Sequence, residues 1–391
     1  MPNLRIHRYI LKEISLPALL SLLIFTFVLL MGRIPRLTEL VINKGVPLGE
    51  MLQLFSYLLP TFFSITVPLS FLLGILLAFG RFSADSEFIA LKASGISLYS
   101  LLKPVLILAF CCSLLTAWLT ISVEPAGKSA FRGKLFEIAS NRASVGIRAG
   151  VFNDDFDGIV LYAGGMDERR GIMQNVFISD EREGETSATI LAQQGRFIPD
   201  PSNYSMTLQL NNGSIHRQPK GNNNSTYQLI GFSNYSINLD LGNQLAAAEG
   251  RHRSRGELSW SELQTAQRDS KSTKDLLRLA VEKHKRIAIA FAPLVFALVG
   301  VPLGLQSNRS GKGAGFALAL AISLVYYLLL SIASTIAGKG MVPVAVALWL
   351  PNICFLCGGS YFLHRTAVER PLKLLPQLAA LLQRKPQREQ K

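Results

Sequence analysis

Six runs of roughly twenty uncharged residues constrain this chain more than any other feature, because a helix needs about that length to cross a hydrocarbon core of about 30 Å. They extend from Ile14 to Gly32, Leu52 to Phe79, Pro104 to Val123, Ile287 to Leu305, Ala314 to Ala337 and Met341 to Leu363. Lipid offers no partner to an unpaired peptide group, so each run is expected to be a helix. The second run exceeds a perpendicular span and contains Pro60 and Pro68, which predicts a tilt or a kink. The first is too long for the apolar core of a cleaved leader and has no small-x-small site after it, so it is expected to remain as an anchor.

A formal net charge of +14 would suit a nucleic-acid partner, but its distribution follows membrane topology instead. Arg5, Arg8 and Lys12, then Arg81, Lys92 and Lys103, then Arg309 and Lys312, and finally seven residues from Arg365 to Lys391 fall on one side of the six runs. The short loops on the other side hold only Arg33, Arg36, Lys44 and Lys339. Positive residues favour the inside, so both termini are expected in the cytoplasm and the long segment from Glu124 to Arg286 outside. That segment carries 21 basic against 19 acidic residues, which leaves nothing for a phosphate backbone and removes the nucleic-acid reading.

Within the long segment the pattern changes to short β-type runs: IVLYA at Ile159, NVFIS at Asn175, ATILAQQGRFI at Ala188, YSMTLQL at Tyr204 and STYQLIGF at Ser225. Gly164-Gly165, Pro199-Asp200-Pro201, Asn211-Asn212-Gly213 and Gly221 to Asn224 punctuate them. An antiparallel β domain follows, as a sandwich or an open roll. Beyond it, Ser259-Trp260-Ser261-Glu262 is a capping box that opens a helical pattern running toward Arg286. The four cysteines, Cys111, Cys112, Cys354 and Cys357, all fall in predicted spans, so the β domain folds without disulfides. The spacing of Cys354 and Cys357 is that of a redox or metal pair, but without a His or a second pair it reads as packing.

The spans carry no ionisable residue of the kind that proton- or sodium-driven transport needs. Gly311-Lys312 resembles part of a phosphate loop, yet Gln306 replaces its first Gly and Gly313 its Ser or Thr. No catalytic constellation stands out, so no catalytic residue, metal site or cofactor is assigned. The stretch between spans two and three is more informative. Arg81 to Ser97 reads as a short amphipathic helix with Asp85 and Glu87 in its acidic first turn and Gly95 as its stop. Such a helix either lies on the membrane or inserts into a groove of a basic partner, and its acidic turn favours the second.

Four motifs in register with this topology carry a resemblance: NKGV from Asn43 to Val46, SADSE-x-x-AL-x-A-x-G from Ser83, APLVFALVGVPLG from Ala292 and WLPN at Trp349. Together they resemble the lipopolysaccharide-export permease family LptF/LptG over nearly the whole chain, the N-terminal motifs lying nearer the LptF branch. The resemblance implies an α-helical membrane protein with six transmembrane helices and an inserted periplasmic all-β, jellyroll-like domain. It implies helices one to three over residues 1–127 with a coupling helix near 83–96, the β domain over 128–256 and a connecting helix over 257–286. Helices four to six follow over 287–368, then a basic cytoplasmic tail over 369–391.

As partners the resemblance implies a second, LptG-like permease, a cytoplasmic LptB-like ATPase dimer that holds ATP and Mg, a periplasmic jellyroll bridge protein with its membrane-anchored helper, and the lipopolysaccharide itself. It places Asp85, Ser86, Glu87, Ala90, Leu91 and Gly95 on the ATPase-coupling helix, Glu87 being the acidic contact. Because the lipid carries phosphates, the cations at the outer ends of the spans are expected to hold it: Arg33, Arg36, Lys128, Arg132 and Lys134. Two other readings differ in class: the permease of another ATP-driven lipid or lipoprotein exporter, for which four spans would be expected, and a membrane sensor or scaffold with its output in the tail.

Overall fold

The computed structural model describes residues 2–35, 47–146, 150–156, 158–167, 171–181, 186–200, 205–219, 227–239, 254–270, 272–306 and 312–368. Arg36, the NKGV motif, Arg309 and the tail beyond residue 368 lie outside them. The chain divides into two compact units, one of residues 1–35, 58–127 and 259–391, the other of 36–57 and 128–258.

The helices are α1 (Pro2–Met31), α2 (Leu48–Ala84), α3 (Glu87–Ala93), α4 (Leu98–Trp118), α5 (Glu124–Gly146), α6 (Trp260–Asp269), α7 (Thr273–Ala290), α8 (Ala292–Gln306), α9 (Lys312–Gly338) and α10 (Val344–Ala367). Among the described residues, five helical stretches are long and apolar enough to cross a membrane, and a sixth results when α7 and α8, which meet at a 40° bend, count as one broken span. The helices outrun the apolar runs because charged turns extend them: α1 begins well before Ile14, through Arg5, Arg8, Lys12 and Glu13.

The α2 helix is apolar all round and forms the centre of the first unit, with 78% of its apolar window buried. Its neighbours approach closely where a side chain is missing. A Cβ on Gly304 of α8 would lie 2.8 Å from the Cβ of Phe79, and one on Gly74 would lie 2.8 Å from the Ile14 carbonyl oxygen of α1. Leu72, Leu76, Val295, Phe296, Tyr326 and Leu348 fill one core cluster, and Ile14, Phe79, Phe82, Leu101 and Val301 fill a second.

The fourth span reads as uninterrupted in the sequence, but it breaks at Phe291. Pro293 sits in the first turn of α8, where its missing N–H costs nothing, and the Phe291 amide closes the end of α7 on the Ile287 and Ala288 carbonyls. The Ala288 carbonyl also accepts from the Tyr326 hydroxyl and from Asn352 Nδ2, each at 3.1 Å, while the hydroxyl reaches Asn352 Oδ1 at 2.9 Å. The Asn of the WLPN motif is thus a buried clasp on the break. A π turn, Leu119–Val123, joins α4 to α5, and Thr120 within it donates to the Thr116 carbonyl at 2.9 Å.

In the second unit, β1 (Phe152–Phe156), β2 (Ile159–Asp167), β3 (Ile172–Asp180), β4 (Thr186–Asp200), β5 (Ser205–Pro219) and β6 (Gln228–Leu239) form one antiparallel sheet in the order of the chain. Alternate residues face its core: Ile159, Leu161 and Ala163 of β2, Val176 and Ile178 of β3, Leu208 and Leu210 of β5. Among the described residues, those that pack on this face come from the sheet's own strands. The sequence marks Asn211-Asn212-Gly213 as a turn, but β5 runs straight through it. Asn212 takes φ +52°, and the register of β5 on β4 is the same on both sides of it.

Candidate functional site

The corner between α2 and α4 carries the acidic motif. The sequence predicts one helix over Ser83 to Ile96, but the structure splits it: α2 continues to Ala84 and α3 starts at Glu87. Ser86 between them has φ +57°, a left-handed conformation that costs a residue with a Cβ about 1–2 kcal/mol. Gly95 ends α3 at φ +81°, as its sequence position predicts, and the Ile96 amide returns to the Leu91 carbonyl. Phe88, Leu91 and Ile96 pack against the second core cluster, and Ser83 Oγ donates to the Leu305 carbonyl at 2.7 Å, which ties the corner to the end of α8.

The opposite side of α3 is open. Ile89 is 66% exposed, and Ala90 is exposed beside it. A groove of about 440 Å³ lies between α3 and the start of α1, lined by Arg5, Ile6, Tyr9, Glu87, Ala90, Leu91 and Ser94. It is mostly apolar, with a cation on one helix and a carboxylate on the other.

Glu87 is held at the rim of this groove by a network that the sequence does not reveal. The Tyr9 hydroxyl lies 3.0 and 3.2 Å from its two carboxylate oxygens, and Arg81 Nη2 donates to the same hydroxyl at 3.2 Å. Arg81 Nη1 also lies 2.6 Å from Glu13 Oε1, and Arg81 Nε 3.7 Å from Asp85 Oδ2. The Tyr9 ring packs on Phe82, centroid to centroid 5.6 Å, and Phe82 is buried. Tyr9 and Glu87 are 78 residues apart, so no local period links them; the only sequence signal is that Arg5, Tyr9 and Glu13 recur at i, i+4 on one helical face.

The cations expected at the outer ends of the spans are disposed differently. Arg33 is exposed in the turn that ends α1, where its amide bonds to the Leu30 carbonyl. In the second unit, Lys128 and Arg132 of α5 converge on a 3₁₀ turn, Arg255–Glu257. A Cβ on Gly256 would lie 3.2 Å from Lys128 Nζ, and Arg132 Nη1 lies 3.1 Å from Glu257 Oε1. The Glu257 side chain is only 1% exposed, so this is a buried ion pair. Lys134 pairs with Glu137 one helical turn on, at 2.9 Å. Carboxylates thus already engage Arg132 and Lys134, a fact that a separation of 125 residues hides in the first case.

A family model described as lipopolysaccharide export system permease LptF/LptG matches residues 8–365. The lipopolysaccharide export system permease protein LptF of Escherichia coli (strain K12) is 23% identical over 356 residues, covering 89% of this chain and 92% of that protein. An uncharacterized protein, RP871, of Rickettsia prowazekii (strain Madrid E) is 23% identical over 273 residues, 69% of this chain and 73% of its own length.

Proposed function

The chain belongs to the lipopolysaccharide export system permease family LptF/LptG, and from that premise we propose that it is the subunit through which an ATP-driven exporter draws lipopolysaccharide out of the inner membrane and passes it to a periplasmic β bridge. It works beside a second, LptG-like permease and on an LptB-like ATPase dimer that binds the ATP and Mg and hydrolyses the nucleotide. Both termini and the α2–α3 corner lie in the cytoplasm, and the β domain lies in the periplasm, in line with the arrangement of Lys and Arg in the short loops. The strands β1 and β6, which end the strand order among the described residues, suit strand-to-strand contact with the bridge protein and its membrane-anchored helper.

The observation that carries this reading is the corner itself: a short helix with an apolar inner face, an open outer face and a fixed carboxylate, set at the end of the most buried span. Closure of the ATPase on ATP pushes on α3, and α2, continuous with that corner but for one strained turn, passes the push to the membrane. The lipid's acyl chains occupy an apolar cavity at the seam with the second permease. The exposed faces of α1 (Leu16, Leu20, Leu23, Phe27) and α9 (Leu320, Leu324, Leu328) suit it, and Phe25 and Phe316 stack where the two helices meet. Arg33, Arg36, Lys128, Arg132 and Lys134 contact the phosphates, Arg132 and Lys134 by exchanging a carboxylate for a phosphate.

The test is an affinity pull-down of the tagged chain from detergent-solubilised membranes, native against Glu87→Arg. Recovery of a second six-span permease and a small ATPase, with the ATPase lost from the variant, supports the complex and the contact. Recovery of the chain alone from both preparations overturns the exporter reading and leaves a sensor or scaffold.

A further inference from the structure

The structure assigns Tyr9 as a positioning residue for Glu87, tying the first span to the helix on which the ATPase docks; this rests on the reading of Glu87 as the ATPase contact. The hydroxyl sits between a cation and an anion, accepting from Arg81 and donating to Glu87. A donor polarised from behind by a guanidinium makes a stronger bond to a carboxylate than a solitary phenol does. One O–H occupies only one of the acceptor positions of the carboxylate, so Glu87 remains able to receive a cation from the partner while its rotamer is already fixed. A contact that is ordered before docking loses less entropy on docking.

The backbone gives α3 little other support at this end. The turn at Ser86 is strained, and the Ser86 side chain makes no capping bond to the helix. Tyr9, by contrast, is anchored: its ring lies on Phe82, and Phe82 lies edge-on to Phe79 in the core of α2. Side chains of three elements therefore meet at one hydroxyl, with Arg81 carried by α2, Glu87 by α3 and Tyr9 by α1, and Glu13 of α1 completes the set. The α1 helix is also the least enclosed span, with 22% of its apolar window buried, so it is the span most easily tilted. A displacement of α3 reaches α1 directly, without passing through the core of the first unit.

The experiment is a double-mutant cycle on the purified permease complex, titrating the ATPase onto wild type, Tyr9→Phe, Glu87→Gln and the double variant. Phe retains the ring on Phe82. The expected result is affinity about fivefold weaker for Tyr9→Phe and about tenfold weaker for Glu87→Gln, with the double variant no weaker than Glu87→Gln alone. A purely structural Tyr9 would give losses that multiply. If Glu87→Gln weakens docking but Tyr9→Phe does not, the positioning role is overturned and the docking reading survives; if Glu87→Gln has no effect, the docking reading falls first. An independent readout needs no ATPase: a nitroxide on Ser94→Cys, with the four native cysteines replaced by Ala, becomes more mobile in Tyr9→Phe. Unchanged mobility refutes the tie.

Discussion

Replacing Tyr326 by Phe deletes one hydroxyl at a place where water has no access, because Tyr326 is 0% exposed. Its proton is shared between Asn352 Oδ1 and the Ala288 carbonyl. After the change Ala288 still accepts from the Phe291 amide and from Asn352 Nδ2, but Asn352 Oδ1 loses its donor in a site only 4% exposed. An orphaned buried acceptor costs about 1–3 kcal/mol, and hydrogen bonds between membrane helices average nearer 0.6 kcal/mol, so a loss of about 1–2 kcal/mol is expected. Asn352→Leu removes donor and acceptor together and leaves the Tyr326 hydroxyl on Ala288, for about 1 kcal/mol. In the double variant the orphan no longer exists, so its total falls short of the sum by about 1 kcal/mol. The assay is unfolding of the purified permease complex in mixed detergent–SDS micelles, read by circular dichroism. Additivity to within about 0.3 kcal/mol, or a Tyr326→Phe protein as stable as wild type, would refute the view that these side chains clasp the break.

Arg132→Met removes a charged donor from the buried Glu257 carboxylate; it lowers the stability of the second unit by about 1.5–3 kcal/mol, measured by limited proteolysis with no lipid present, and Arg132→Lys recovers part of the loss. Arg33→Glu is expected to leave assembly and melting unchanged while abolishing lipopolysaccharide-stimulated ATP hydrolysis in the reconstituted complex; full stimulation would remove Arg33 from the substrate path. Gly213→Ala sets a Cβ against the Leu191 carbonyl oxygen, so the β4–β5 ladder must open; the expected cost is about 3 kcal/mol, seen as rapid amide exchange from Ala192 outward. Gly74→Leu pushes α1 from α2 and is expected to reduce recovery of intact complex several-fold in size-exclusion chromatography.

The membrane spans were legible because a long uncharged stretch has one physical solution in lipid, and the capping box because it is local: Ser259 N bonds Glu262 Oε2 at 2.8 Å, and Glu262 N bonds Ser259 Oγ at 3.3 Å. The alternation of β2, β3 and β4 was legible for the same reason. What hid was conformation without a marker. A serine in the left-handed region looks like any serine, so the α2–α3 boundary was misplaced by a few residues, and Asn212-Gly213 carries turn chemistry that the strand passes through in register. Pro293 signalled the break in the fourth span, but within an apolar run it reads equally well as a tolerated kink. The candidate site was half legible. Glu87 and Gly95 stand in a local motif, whereas Tyr9, Arg81 and Glu13 meet it only through the packing of α1 on α2, and Glu257 reaches Arg132 only through the fold.

The π turn at Leu119–Val123 has a geometric consequence for everything that follows it in the same helix. Five residues wound at the wider π pitch accommodate one residue more than an α-turn would, so α5 emerges about a quarter turn out of phase with α4. Glu124, in the first turn after it, aims about 90° from where an uninterrupted helix would aim it. Deleting a single residue from this segment would straighten the winding and rotate that first turn of α5, leaving its composition untouched and changing only where its side chains point.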